Sequence, residues 1–218
     1  MISKLLICPY FGDLPPWMNS WYANTERMKD HGYDFLFDDD EDSFRDRVRD
    51  RLEIEPPPMH GTGNIWDFRP ALGFLYEEET RGFDWWGHTD FDCVYGRVER
   101  FVTDEVLEGC DIYTDCAHGY IAGPWSLYRN EWAINDLFFQ SSDWRSNMQS
   151  LDPTGWCETT FTQLAKDALG ERLLITNKHA FTEPEMLRVD GERLMHGERE
   201  IPYFHFRRTK EYPKGCVK

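Results

Sequence analysis

Basic residues are scarce in this chain. Its 24 Lys and Arg stand against 40 Asp and Glu, a net charge of −16 over 218 residues. Clustered cations are what a nucleic-acid backbone or an anionic membrane rewards, so neither is the main source of affinity here. No apolar run reaches the roughly 20 residues of a membrane span. The first nine residues carry too short an apolar stretch for a signal peptide. The six cysteines (Cys8, Cys93, Cys110, Cys116, Cys157 and Cys216) include no C-x-x-C pair and no dense disulfide framework, which points to reduced thiols and a cytoplasmic protein. Also missing are a Walker loop, a G-x-G-x-x-G turn, a G-x-S-x-G elbow and an H-E-x-x-H helix, so the reaction classes built on them fall away.

What is present suits a packed core: 40% hydrophobic residues and 16% aromatics, nine of them Trp. Leu5-Leu6-Ile7-Cys8, closed by Pro9, reads as a buried parallel strand. Residues 16–31 read as a helix ended by Gly32, and residues 33–37 as a second strand, together a right-handed βαβ unit. A charged helix is expected over 43–52, where Arg45, Arg47, Arg49 and Arg51 interleave with Asp46 and Asp50 as a solvated face. Pro56-Pro57-Pro58 and Gly61-Thr62-Gly63 form a connector. Helical spacing follows over 66–80, a central strand over 83–88, a helix over 99–107 and a strand over 111–114. Residues 131–140 and 158–169 look helical, and 173–175 strand-like. The expectation is one α/β domain over residues 1–218, with a mostly parallel central sheet flanked by helices and an irregular C-terminal half.

Ligands of open α/β sheets bind beyond the carboxyl ends of the strands. Three polar clusters fall at such ends: residues 9–12, Asp38-Asp39-Asp40, and Asp90-Phe91-Asp92. In extended backbone Asp90 and Asp92 share a face, and two converging carboxylates call for a cation between them. Mg²⁺ and Mn²⁺ suit such oxygens and keep positions open for a substrate's phosphates.

Several ordered segments resemble a family. Trp66-Asp67-Phe68-Arg69-Pro70-Ala71-Leu72-Gly73, then Gly82-Phe83-Asp84-Trp85-Trp86-Gly87-His88-Thr89-Asp90-Phe91-Asp92, and Val94-Tyr95-Gly96-Arg97-Val98 resemble GT-A-type nucleotide-sugar glycosyltransferases, in particular a small bacterial and phage group. Trp125-Ser126-Leu127-Tyr128-Arg129-Asn130, Tyr203-Phe204-His205-Phe206-Arg207-Arg208 and the first strand fit the same pattern. The segment before Leu127 is longer than the glycine-histidine turn of that group, which bears on the acceptor side.

The resemblance implies a GT-A-like (Rossmann-like) fold, with residues 1–115 as the nucleotide-sugar half and 116–218 as the acceptor half. It implies that Asp90 and Asp92 hold Mn²⁺ or Mg²⁺ against a donor diphosphate, with His205 as third ligand. Pro9, Tyr10, Phe11 and the Asp38 loop would surround base and ribose; Asp67 and Arg69 would lie near the donor sugar or its phosphates. The donor would be a nucleotide-sugar, a UDP-sugar first, and the acceptor a glycan or other hydroxyl. A hydroxymethylated DNA base or a virion protein is the phage-type alternative, the DNA version disfavoured by charge. Inverting transfer needs a carboxylate base, for which Glu158 comes first and Asp152 second, while Trp125 and Trp156 are candidates for stacking on sugar faces. A catalytically silent binding module and a divalent-metal phosphohydrolase are the rival readings.

Overall fold

The computed structural model describes residues 1–59, 65–116, 118–121 and 123–206. In chain order the strands are β1 (Lys4–Pro9), β2 (Tyr33–Asp38), β3 (Trp85–Thr89), β4 (Cys93–Tyr95), β5 (Ile112–Asp115), β6 (Trp125–Arg129), β7 (Leu173–Thr176), β8 (Leu187–Asp190), β9 (Arg193–His196), β10 (Arg199–Ile201) and β11 (Tyr203–His205). The α-helices are α1 (Met18–Met28), α2 (Glu41–Leu52), α3 (Leu72–Leu75), α4 (Glu77–Thr80), α5 (Asp104–Glu108), α6 (Trp132–Asn135), α7 (Trp144–Met148) and α8 (Thr160–Leu169).

Six strands form the main sheet in the order β2-β1-β3-β6-β5-β7. Five run parallel and β6 runs against them. The apolar runs of β1 and β3 are buried from end to end, as a strand covered on both faces requires. Alternation divides them between two cores. Leu5, Ile7 and Trp86 face one way with Phe44 and Val48 of α2 and Phe161 of α8. Leu6 and Trp85 face the other way with Met28 of α1 and Leu107 of α5.

Local chemistry sets the element ends. Gly32 closes the first helical stretch at φ 78°, a left-handed conformation that costs glycine little. Asp40 caps α2 by accepting the Ser43 N–H at 3.0 Å. The arginine face of α2 is paired off: Arg45 and Arg49 with Glu55, Arg47 with Glu79, Arg51 with Glu77. The helix expected over 66–80 is broken into a 3₁₀ stretch, Ile65–Ala71, followed by α3 and α4, because Pro70 removes an N–H and clashes with the preceding turn. The helix expected over 99–107 is a short 3₁₀ turn and the five-residue α5, whose cap is Thr103. Gly61-Thr62-Gly63 of the expected connector, and Arg207 and Arg208, lie outside the described residues.

The C-terminal part adds a three-stranded antiparallel sheet, β10-β9-β8, and pairs β11 antiparallel with β4. Among the described residues no helix is long and apolar enough to cross a membrane. Cys8, Cys93, Cys110, Cys116 and Cys157 are free and buried.

Candidate functional site

Register brings the three polar clusters to one rim. Ile7 pairs with His88 and Pro9 with Asp38, so the chain leaves β1, β2 and β3 at the same level. The reversed β6 begins at this rim, and the Pro124 carbonyl accepts the Asp90 N–H at 3.0 Å. Immediately after Asp92 the chain enters β4, whose partner β11 sets His205 opposite Cys93, while Phe206 N–H donates to the Asp92 carbonyl at 3.0 Å. His205 Nε2 consequently lies 3.2 Å from Asp92 Oδ1 and 3.6 Å from Asp90 Oδ2. One ligand atom from each of Asp90, Asp92 and His205 falls within 4.8 Å of the others.

Burial pushes the Asp90 carboxyl above the usual carboxylate range; Arg69 pulls against that shift and the Asp92 charge adds to it. Arg69 Nη2 donates to Asp90 Oδ1 at 2.5 Å from a side chain only 9% exposed. Its guanidinium also lies 5.8 Å from the Trp66 ring centroid. The second oxygen of Asp90 remains turned toward His205. Two carboxylates and an imidazole make a donor set that fits Mn²⁺ or Mg²⁺, Mn²⁺ being the more tolerant of nitrogen.

The 3₁₀ turn that carries Arg69 also carries Asp67, whose side chain runs the other way. Asp67 Oδ2 accepts the Thr154 N–H at 2.8 Å, and its carbonyl accepts Trp156 Nε1 at 3.0 Å. Burial raises its carboxyl while the Thr154 amide pulls it down. This clamp fixes the loop leading to Glu158, and Glu158 meets Arg69 at Gly123. A methyl placed on Gly123 would overlap Arg69 Nη1 and sit 2.8 Å from Glu158 Oε1. The two charged groups close over Gly123, so a side chain there would have to push the end of Arg69 or Glu158 aside.

The other expected residues fall as follows. Tyr10 and Pro9 stand half-buried on the rim. The Tyr10 ring is 4.2 Å from Phe91, which in turn stacks on Trp17 at 6.2 Å. Phe11 turns inward, 3% exposed, against Phe44. Asp38 is engaged on both oxygens: it accepts the Tyr76 hydroxyl on one and the Asp40 N–H on the other. Asp152 sits exposed in a turn closed by Ser150, with no contact to Asp90, Asp92 or His205 among its hydrogen bonds. Trp125 and Trp156 are core residues, 0% and 2% exposed, so neither offers a face to a sugar. Trp17 and Phe91 were not singled out from sequence. Their signal was the density of aromatics in the loops after β1 and β3.

Sheet order and rim define a GT-A-like α/β fold, mostly parallel and flanked by helices. A glycosyltransferase involved in the glycosylation of the major capsid of PBCV-1 shares it at a TM-score of 0.53, with 12% identity over 94% of this chain and 96% of that one. Mouse xyloside xylosyltransferase 1 in its apo form aligns at a TM-score of 0.48 and 9% identity, over 97% of this chain and 100% of the other. The galactosyltransferase LgtC, in complex with donor and acceptor sugar analogues, aligns at 0.47 and 13%, over 97% and 91%. No curated protein matches the sequence. The chain belongs to the family of unknown function DUF6625, whose model matches residues 6–186.

Proposed function

We propose that this chain is a metal-dependent glycosyltransferase that moves a sugar from a nucleotide-sugar, a UDP-sugar first, to a hydroxyl of a glycan. The observation that carries the reading is the meeting of Asp90, Asp92 and His205 at the carboxyl rim of three adjacent parallel strands.

In this reading Asp90, Asp92 and His205 hold Mn²⁺ or Mg²⁺, which when bound neutralises the diphosphate as it leaves. Tyr10, Phe91 and Trp17 offer ring faces to the base, with Pro9 and the Asp38 turn beside them. Arg69 lies between Asp90 and Glu158, where a cationic side chain serves the donor phosphates or sugar. The sugar C1–O bond breaks and its electron pair leaves with the nucleoside diphosphate. The acceptor oxygen forms the new bond to C1 and passes its proton to the Glu158 carboxylate. Glu158 is preferred to Asp152 as base because it alone of the two stands beside Arg69 and Gly123.

The test is a thermal-shift screen with MnCl₂ and UDP, GDP, ADP, TDP or CDP. One pair should raise the melting temperature, and Asp92→Ala should abolish the rise. No shift with any nucleotide refutes the reading and favours a silent module, for which the Arg69–Asp90 pair is the supporting observation, since it neutralises Asp90 from within the chain. Glu158→Gln should leave that shift intact and collapse transfer; retained transfer removes Glu158 as base.

A further inference from the structure

A ladder of rings climbs from the sheet to the surface beside His205. Ala180 bridges Phe204 in parallel register, and its carbonyl accepts the His205 N–H at 3.0 Å. That register sets His179 beside Tyr203 and Phe181 beside His205. Since side chains alternate along extended backbone, all four share one face. The rings follow suit. His179 stacks on Tyr203 with 4.9 Å between centroids and 5° between planes, and Phe181 comes next at 5.5 Å. His118 lies 5.9 Å from Phe181, and Tyr120 stacks on His118 at 5.7 Å and 15°.

The lower rungs are floor, with Tyr203 and His179 buried, whereas His118 is exposed and Tyr120 and Phe181 only half-buried. A stack serving the core alone would stop where burial stops. This one continues into solvent on the β5/β7 side of the Asp90–Asp92–His205 group, opposite the Tyr10–Phe91–Trp17 rings of the β1/β2 side. Its outer part is also held in place: Lys166 Nζ donates to the Gly119 carbonyl at 2.9 Å, and Ile121 N–H to Thr162 Oγ1 at 3.0 Å. The same loop runs on to Gly123, where Glu158 waits.

We propose that His118, Tyr120 and Phe181 form the acceptor subsite and that it takes a pyranose ring of a glycan, an inference that rests on the transfer reaction proposed above. The C–H face of a pyranose packs on aromatic rings, and rigid ring platforms present area at little entropic cost. A polyanionic acceptor is less well served. The net charge of −16 disfavours it, and among the described residues two nearby cations, Lys166 and Arg199, already donate to the Gly119 and His179 carbonyls.

The experiment is saturation-transfer NMR on the full chain with methyl pyranosides of glucose, galactose, mannose, xylose and N-acetylglucosamine, both anomers, at tens of millimolar. At least one should bind, and Phe181→Ala and Tyr120→Ala should each weaken it about fivefold or more. His118 is exposed, so His118→Ala tests the ladder in a chain that keeps its fold. The inference is overturned if none of the pyranosides binds the wild-type chain, if the variants bind as the wild type does, or if a short oligodeoxynucleotide binds in their place. Pyranoside binding without any nucleotide-dependent thermal shift would instead refute the transferase reading.

Discussion

Replacing Arg69 by Met should make the fold hungry for a divalent cation. Arg69 and Asp90 meet at 2.5 Å with side chains 9% and 23% exposed. Removing one partner of such a pair strands the other charge, at a cost of about 3–5 kcal/mol. For a chain of this size each kcal/mol is worth about 2–4 °C, so Arg69→Met should melt roughly 6–20 °C below the wild type in EDTA. MnCl₂ should then return more stability to the variant than to the wild type, because the cation no longer shares Asp90 with a guanidinium. At a hundredfold excess over its dissociation constant it returns about 2.7 kcal/mol. The assay is a melting curve in EDTA and across a manganese titration. Arg69→Lys, which keeps the charge and loses the fork, serves as an intermediate. A manganese shift in Arg69→Met no larger than that of the wild type would refute the account of Asp90 as a ligand whose charge Arg69 balances.

Gly73→Ala should cost about 1–3 kcal/mol or more in urea unfolding, since its methyl would overlap the indole of Trp86, fully buried and stacked 4.2 Å from Tyr128. Asp67→Ala frees the Thr154 amide and should cost about 1–3 kcal/mol, with proteolytic nicking near residue 154 as the readout; an unchanged digest would show that the clamp does not hold this loop. Asp111 is held below the usual carboxylate range first by Arg172 and then by Arg129. A depressed carboxyl contributes stability above its unfolded value and loses it as pH falls through the folded one. Asp111→Asn should therefore lower the unfolding free energy at pH 7, by about 1 kcal/mol at most because Arg172 is exposed, and the gap should close below pH 4; a gap constant with pH would rule this out.

The sheet's first half was legible because its signals are local. The apolar run of β1, Gly32 after α1, and the placement of three polar clusters at strand ends depend on neighbours in sequence and on one topological rule. The reversed strand β6 was not legible as such. Trp125-Ser126-Leu127-Tyr128-Arg129 is as apolar as a parallel strand, and direction in a sheet depends on where the chain has come from. The resemblance points Arg69 toward the donor, yet its pairing with Asp90 depends on a tertiary approach that no spacing announces. Aromatic composition also misled locally. Trp125 and Trp156 look like stacking surfaces in the sequence but fill the core, while the rings that reach solvent beside His205 are the exposed His118 and the half-buried Tyr120 and Phe181, which carry no motif.

The 3₁₀ turn Ile65–Ala71 ties the two halves of the rim together. Asp67 grips the loop before Glu158, and Arg69 grips Asp90 from the same turn. The guanidinium thus stands between two carboxylates, one offered to a cation and one to an acceptor proton. A cation bound at Asp90 would leave Arg69 facing Glu158 across Gly123 as its other carboxylate neighbour. If the two ends are linked in this way, the manganese affinities of Arg69→Met, Glu158→Gln and the double variant should not add. Groups in contact couple by about 0.5–3 kcal/mol, and strict additivity would mean that the cation and the base are set independently.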